Sequence, residues 1–247
     1  MTPLLEVRGV RKSFGGVIAN RDLSLAVPEG GVYGLIGPNG SGKSTLFGSI
    51  AGVHPIDAGS IRFRGREISN LRVPQIARAG LIRTYQQTRT YRLMTCLQNL
   101  LISIPPSELT WRTWFLASSA ADLRKAEELL EFVGLHDKRH LRAGDLSFGQ
   151  QKLLELAMAL MSEPKMLLLD EPTAGINPTL INYLLERLRR VNRERGITLL
   201  VIEHNMHVIM ELAEYIYCLA HGELLAEGKP EAIRQDPRVL DAYLGAR

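Results

Sequence analysis

Apolar and polar residues alternate over residues 4–10 and again over 23–27, the period of half-buried strands. The turn residues Pro28-Glu29-Gly30-Gly31 separate the second run from residues 32–36, a short apolar strand. A helix is predicted from residue 44 to about 53, and residues 60–64 alternate once more before a turn at Gly65. Over residues 95–143 the reading changes to helices. Pro105-Pro106 interrupts them, while Leu123, Ala126, Leu129, Leu130 and Val133 recur at helical spacing. Residues 166–169 and 198–202 are continuous apolar runs, as in strands buried on both faces. Between them, residues 178–195 read as an amphipathic helix with Leu180, Leu184, Leu185, Leu188 and Val191 facing inward. Strand–helix–strand alternation implies a parallel α/β sheet, with the middle helices inserted into it.

Composition changes this picture little. The 247 residues carry a net charge of +4, a weak case for nucleic acid, so no nucleic-acid partner is expected. The charge is uneven, however: residues 62–92 hold eight arginines and a single acid, Glu67. No apolar run approaches the roughly 20 residues of a membrane-spanning helix. The opening MTPLLEVRGV lacks the basic-then-apolar layout of a signal peptide, so the chain is expected to stay inside the cell. Cys96 and Cys218 show no metal-ligand spacing and read as two reduced core thiols.

The chemistry begins at Gly37-Pro38-Asn39-Gly40-Ser41-Gly42-Lys43-Ser44, followed by Thr45, where an apolar strand precedes and a helical pattern follows. Glycines let backbone N–H groups curl around phosphate oxygens, and the helix N-terminus adds its dipole. Lys43 can reach the β- and γ-phosphates, and the Ser44 hydroxyl can ligate Mg²⁺. A second run, Met166-Leu167-Leu168-Leu169-Asp170-Glu171, is a buried strand ending in two carboxylates. Asp170 can hold Mg²⁺ through its water shell, and Glu171 can orient or deprotonate an attacking water. Together the two motifs make nucleoside-triphosphate hydrolysis the leading chemistry.

Leu146-Ser147-Phe148-Gly149-Gln150, 20 residues before Asp170, resembles the signature motif of ABC-type ATPases. Other stations follow in family order: Gln86 resembles the Q-loop glutamine, residues 174–177 the D-loop, His204 the H-loop histidine and Phe14 the aromatic that stacks on adenine. Phe148 and Asn177 depart from the commonest pattern, which has Gly and Asp there, and resemble the subgroup energising uptake of branched-chain amino acids. Ile202-Glu203-His204-Asn205-Met206 and the ending around Ala226-Glu227-Gly228-Lys229-Pro230, Asp236-Pro237 and Ala242-Tyr243-Leu244-Gly245 carry the same likeness.

The resemblance implies one ABC ATPase domain over residues 1–247: a P-loop NTPase core with a mixed, largely parallel sheet and an N-terminal antiparallel β subdomain. A helical subdomain is expected over about 90–150, and a C-terminal hairpin with helices over about 220–247. It implies ATP and Mg²⁺ as ligands. Phe14, Gly37, Asn39, Gly40, Ser41, Gly42, Lys43, Ser44, Thr45, Ser147, Gly149 and Gln150 would hold nucleotide. Ser44, Gln86 and Asp170 would hold the metal, with Glu171, His204 and Gln86 catalytic. Family members cap the ATP of one protomer with the signature of another, so a homodimer or a pair with a sister ATPase is expected. Separate permease subunits follow, together with a periplasmic or extracellular solute-binding protein and a peripheral place on the cytoplasmic face of the inner membrane. Tyr85, Tyr91, Trp111 and Trp114 are candidates for the permease-facing surface, and the arginines near Gln86 for acidic loops or headgroups. The alternatives are the ATPase of a lipid or lipopolysaccharide exporter, or an ABC ATPase without transport. Small P-loop kinases and GTPases lack the LSFGQ run.

Overall fold

A computed structural model describes residues 3–84, 90–104 and 119–244. The chain divides into two units: residues 1–83, 165–172 and 189–247 form the first, and residues 84–164 and 173–188 the second.

The first unit contains two sheets. Strands β1 (Leu5–Phe14), β2 (Val17–Val27), β4 (Ala58–Phe63) and β5 (Arg66–Glu67) form an antiparallel sheet in the order β2-β1-β4-β5. Both opening strands run further than their alternation predicts, because Gly15 and Gly16 at φ 52° and 87° close a two-residue hairpin that pairs Phe14 with Val17. The apolar residues near its tip (Phe14, Val17 and Ile18) are exposed, so they carry no burial signal.

The second sheet combines β3 (Val32–Ile36), β6 (Leu81–Arg83), β7 (Met166–Asp170), β8 (Thr198–Ile202), β9 (Tyr215–Ala220) and β10 (Glu223–Gly228) in the order β10-β9-β3-β8-β7-β6. All its pairings are parallel except the β9–β10 hairpin. Strands β3, β7 and β8 are buried along their whole length, which accounts for their unbroken apolar sequences. Leu35, Leu46, Phe47, Ile61, Phe63 and Leu200 belong to one core cluster, each burial stabilising by roughly 1.5–3 kcal/mol. Helix α1 (Lys43–Ile50) follows β3 across residues 37–42, and α2 (Val73–Arg78) leads into β6. Helices α7 (Met206–Leu212), α8 (Pro230–Gln235) and α9 (Pro237–Leu244) complete this unit.

The second unit is helical, with α3 (Cys96–Ile102), α4 (Ala120–Phe132) and α5 (Phe148–Leu160). Thr95 and Ser119 cap α3 and α4 through their side-chain oxygens. Ala126, Leu129, Leu130 and Val133 are buried as their spacing predicts, whereas Leu123 at the start of α4 is exposed. Helix α6 (Pro178–Arg195) spans the predicted residues; Leu184, Leu185, Leu188 and Val191 are buried and Leu180 is half-buried. Cys96 and Cys218 are buried free thiols.

Candidate nucleotide site

The phosphate loop joins β3 to α1 and closes through glycines that no other residue replaces easily. At Gly42, φ is 97° and a Cβ would lie 2.2 Å from the Ala19 carbonyl oxygen; at Gly37 a Cβ would lie 2.2 Å from that of Leu219. The loop is pinned from two sides. Asn20 Nδ2 donates to the Gly42 carbonyl at 3.1 Å, and the Gly37 N–H donates to the Tyr243 hydroxyl at 2.8 Å. Lys43 is buried and curls back into its own loop, donating to the carbonyls of Gly37 (2.7 Å) and Pro38 (2.9 Å) and to Ser41 Oγ (3.3 Å). Burial pushes its ammonium pKa down, opposed by the negative charge of Glu171 and Asp170. Both carboxylates therefore act on the loop. Ser41 is buried, while Asn39, Gly40 and Ser44 are exposed and Thr45 is half-buried.

Asp170 ends β7 beneath a guanidinium that the motif reading passed over: Arg83 Nη2 lies 2.7 Å from Asp170 Oδ2. Glu171 follows at φ +49°, a left-handed conformation that costs a non-glycine residue free energy and is commonly held at functional sites. Its N–H donates to the Ile202 carbonyl at 2.9 Å, tying it to the end of β8. His204 leaves that same strand and places Nε2 2.7 Å from Glu171 Oε1. His204, expected among the catalytic residues, thus stands beside the Glu171 carboxylate.

Phe14 stands at the β1–β2 hairpin with 45% of its surface exposed, so it does not fill core. His54 meets its ring edge-on at 5.2 Å, and Lys12 Nζ lies 5.1 Å from the ring centroid while paired with Asp57 at 3.0 Å. Burial first, then Arg83 and Lys12, lower the His54 pKa and favour the neutral ring. An accessible aromatic face steadied from behind suits stacking on a nucleobase.

In the second unit, Ser147 caps α5: its Oγ accepts from the Gln150 N–H, and Gln150 Oε1 accepts from the Ser147 N–H. A Cβ at Gly149 would lie 1.9 Å from Leu180 Cδ2, so a larger residue there would push that side chain aside. The Phe148 ring covers Gly175, and Lys152 Nζ lies 5.7 Å from its centroid. Asn177 uses its side-chain oxygen to accept from the Leu180 N–H at 3.0 Å, a cap at the start of α6 that an amide serves as well as a carboxylate. Gln86, Tyr85, Arg89, Trp111 and Trp114 lie outside the described residues. Tyr91 is exposed, with its N–H and carbonyl both held by Asn99.

Arg83, Asn20, Tyr243 and His54 are the site residues that motif reading missed. Arg83 appeared only within the basic stretch and Tyr243 only within the Ala242-Tyr243-Leu244-Gly245 ending, with nothing in either to indicate its partner; Asn20 and His54 have no signal in local sequence.

A glycine loop between a buried strand and a helix, a buried lysine, and two carboxylates at the end of a strand one removed in the same parallel sheet define a P-loop nucleoside triphosphatase. Residues 20–174 match the ABC transporter family, and residues 223–247 match the branched-chain amino acid ATP-binding cassette transporter family. The chain is 38% identical to the high-affinity branched-chain amino acid transport ATP-binding protein BraF of Pseudomonas aeruginosa, over 98% of each chain. It superposes with a TM-score of 0.89 on the ADP conformation of MJ1267, an ATP-binding cassette of an ABC transporter, at 33% identity over 99% of this chain and 100% of the other. A dimeric post-hydrolysis cassette, MJ0796 bound to ADP and Pi, superposes at 0.77 with 25% identity, over 92% and 98%. The chain therefore belongs to the ATP-binding subunits of ABC transporters, and it is an ATPase that binds nucleotide. These likenesses fit the uptake reading and not the alternatives of lipid export or a transport-free ATPase. Among the described residues no helix is long and apolar enough to cross a membrane.

Proposed function

We propose that the chain powers uptake of branched-chain or related amino acids, amides or urea through separate permease subunits. It would work at the cytoplasmic face of the inner membrane, beside a like or sister ATPase, with a solute-binding protein delivering the solute. The C-terminal family match and the name of the Pseudomonas relative support the solute class. In this reading residues 1–247 are one ATPase domain, with a helical subdomain near 90–150 and a C-terminal hairpin and helices near 220–247.

The observation that carries the mechanism is Glu171, tied to β8 through its N–H and held at its carboxylate by His204, beside Asp170. Loop N–H groups and Lys43 bind the phosphates, the lysine exchanging its carbonyl contacts for phosphate oxygens. Phe14 stacks on the base. Glu171 takes the proton of the attacking water as its oxygen bonds the γ-phosphorus and the bridge to ADP breaks. His204 keeps that carboxylate aimed. Ser44 and Asp170 offer hard oxygen donors that fit Mg²⁺, with Gln86 as a third donor; when bound, the ion offsets phosphate charge. Ser147, Gly149 and Gln150, at the capped start of α5, suit the phosphates held by a second protomer.

Glu171→Gln should lower ATP turnover at least about 100-fold and stabilise an ATP-bound dimer in gel filtration with light scattering. Wild-type turnover would overturn the role of Glu171, and a monomer with ATP would overturn the shared site. Leucine uptake in cells carrying only E171Q should fall to background. Unchanged uptake would count against the solute assignment.

A further inference from the structure

Phe148 is the first residue of α5, between Ser147 and Gly149 of the signature run. Its ring is 44% exposed, so it adds little to the core. The covered part of the ring lies on Gly175, in the turn between β7 and α6. A Cβ on Gly175 would come within 3.0 Å of Phe148 Cε1, 3.6 Å of Cδ1 and 3.8 Å of Cζ. Gly175 also has φ 76°, a left-handed conformation that glycine adopts without strain. One residue therefore both forms the turn and leaves room for the ring.

The turn has a long closing bond: the Ile176 N–H donates to the Thr173 carbonyl at 3.4 Å, and Gly175 and Asn177 are exposed. Packing on α5 adds what that bond gives weakly. At the residue after Phe148, the space a Gly149 Cβ would fill is taken by Leu180 Cδ2 at 1.9 Å and Ile176 Cγ2 at 3.2 Å. Lys152, four residues along the same helix face and buried, keeps Nζ 5.7 Å from the Phe148 centroid and steadies the ring from within α5. The contact joins two capped helix starts. Ser147 and Gln150 satisfy each other at the start of α5, and Asn177 caps α6 at the far end of the turn.

We propose that Phe148 is a positioning residue, whose ring holds residues 173–177 against the start of α5 so that both segments meet a second protomer as one surface. The proposal rests on the reading of Ser147, Gly149 and Gln150 as partners of a nucleotide held by another copy. Phe148 then serves the ATP of the neighbouring protomer and leaves the chain's own ATP affinity untouched.

Hydrogen exchange on the full-length chain without nucleotide tests the hold by itself. Phe148→Ala should speed exchange of the Ile176 amide at least about five-fold, because local opening is then easier. Phe148→Tyr, which keeps the ring, should exchange like wild type. Equal exchange in Phe148→Ala would overturn the proposal. The consequence is read in the Glu171→Gln background, as the dissociation constant of the ATP-bound dimer in analytical ultracentrifugation. Phe148→Ala should raise that constant about ten-fold and Phe148→Tyr should not, with nucleotide titration of the dilute chain unchanged in both. Gly175→Ala should weaken the dimer more with the ring present than beside Phe148→Ala, since only the ring meets the added Cβ. Additive effects, a dimer indifferent to Phe148→Ala, or a tyrosine no better than alanine would count against the proposal. If the Glu171→Gln chain itself stays monomeric with ATP, the shared-site reading falls, and exchange alone decides whether Phe148 holds the turn.

Discussion

Arg83 and Asp170 form an ion pair with only 11% and 8% of their side chains exposed, so loss of either leaves the other's charge poorly solvated. Replacing one partner of such a pair leaves a buried charge at a cost of about 3–5 kcal/mol. Arg83→Gln should therefore lower the melting temperature in Mg²⁺-free buffer, read by calorimetry. An unchanged melting point would mean that Asp170 has found other compensation. His54 predicts a pH dependence. Its pKa is lower in the folded chain than its ordinary 6.5, so the unfolded chain binds the extra proton. The stability tied to neutral His54 is full above pH 6.5 and is lost as pH falls through the lowered folded value. His54→Gln should flatten the fall in melting temperature between pH 7.5 and 5, and an equally steep fall would refute this. Neither role was legible in sequence. Arg83 counted only as one arginine of a basic stretch, and His54 is a lone histidine whose neighbours Phe14, Lys12 and Arg83 are distant in the chain.

At the scale of elements, β3, α6 and β8 were readable to their ends because their patterns are complete: buried strands without polar breaks, and an amphipathic helix starting at proline. The β1–β2 hairpin was not, since its exposed tip removes the alternation on which a strand prediction rests. Helix α9 matters more than its amphipathic pattern suggests. Its Tyr243 hydroxyl, with a pKa pushed up to about 12 by burial, accepts the Gly37 N–H and so braces the phosphate loop from the C-terminal segment. Tyr243→Phe removes that acceptor and leaves a buried N–H unpaired, a loss of about 1–3 kcal/mol. Weaker ATP binding with little change in α9 helicity should follow, measured by nucleotide titration and circular dichroism. Wild-type affinity would show that the loop needs no brace.

For the whole molecule, the basic stretch dissolves into separate roles. Arg62 pairs with Glu67, Arg83 turns inward to Asp170, and Arg64, Arg66, Arg72, Arg78 and Arg92 remain exposed. If the segment beyond Arg83 docks the permease, reversing Arg89 and Arg92 to Glu should reduce recovery of the ATPase with its membrane subunits in pull-downs. Full co-purification would remove the docking role. The chemistry of this protein was determined by sequence alone, because a phosphate loop, a strand ending in two carboxylates and a signature run are each built from consecutive residues whose backbone geometry is local. Tertiary structure decided which side chains discipline that chemistry. Arg83 on Asp170, His204 on Glu171 and Tyr243 on Gly37 each join residues far apart in the chain. Only the folded chain creates the distances at which such pairs interact.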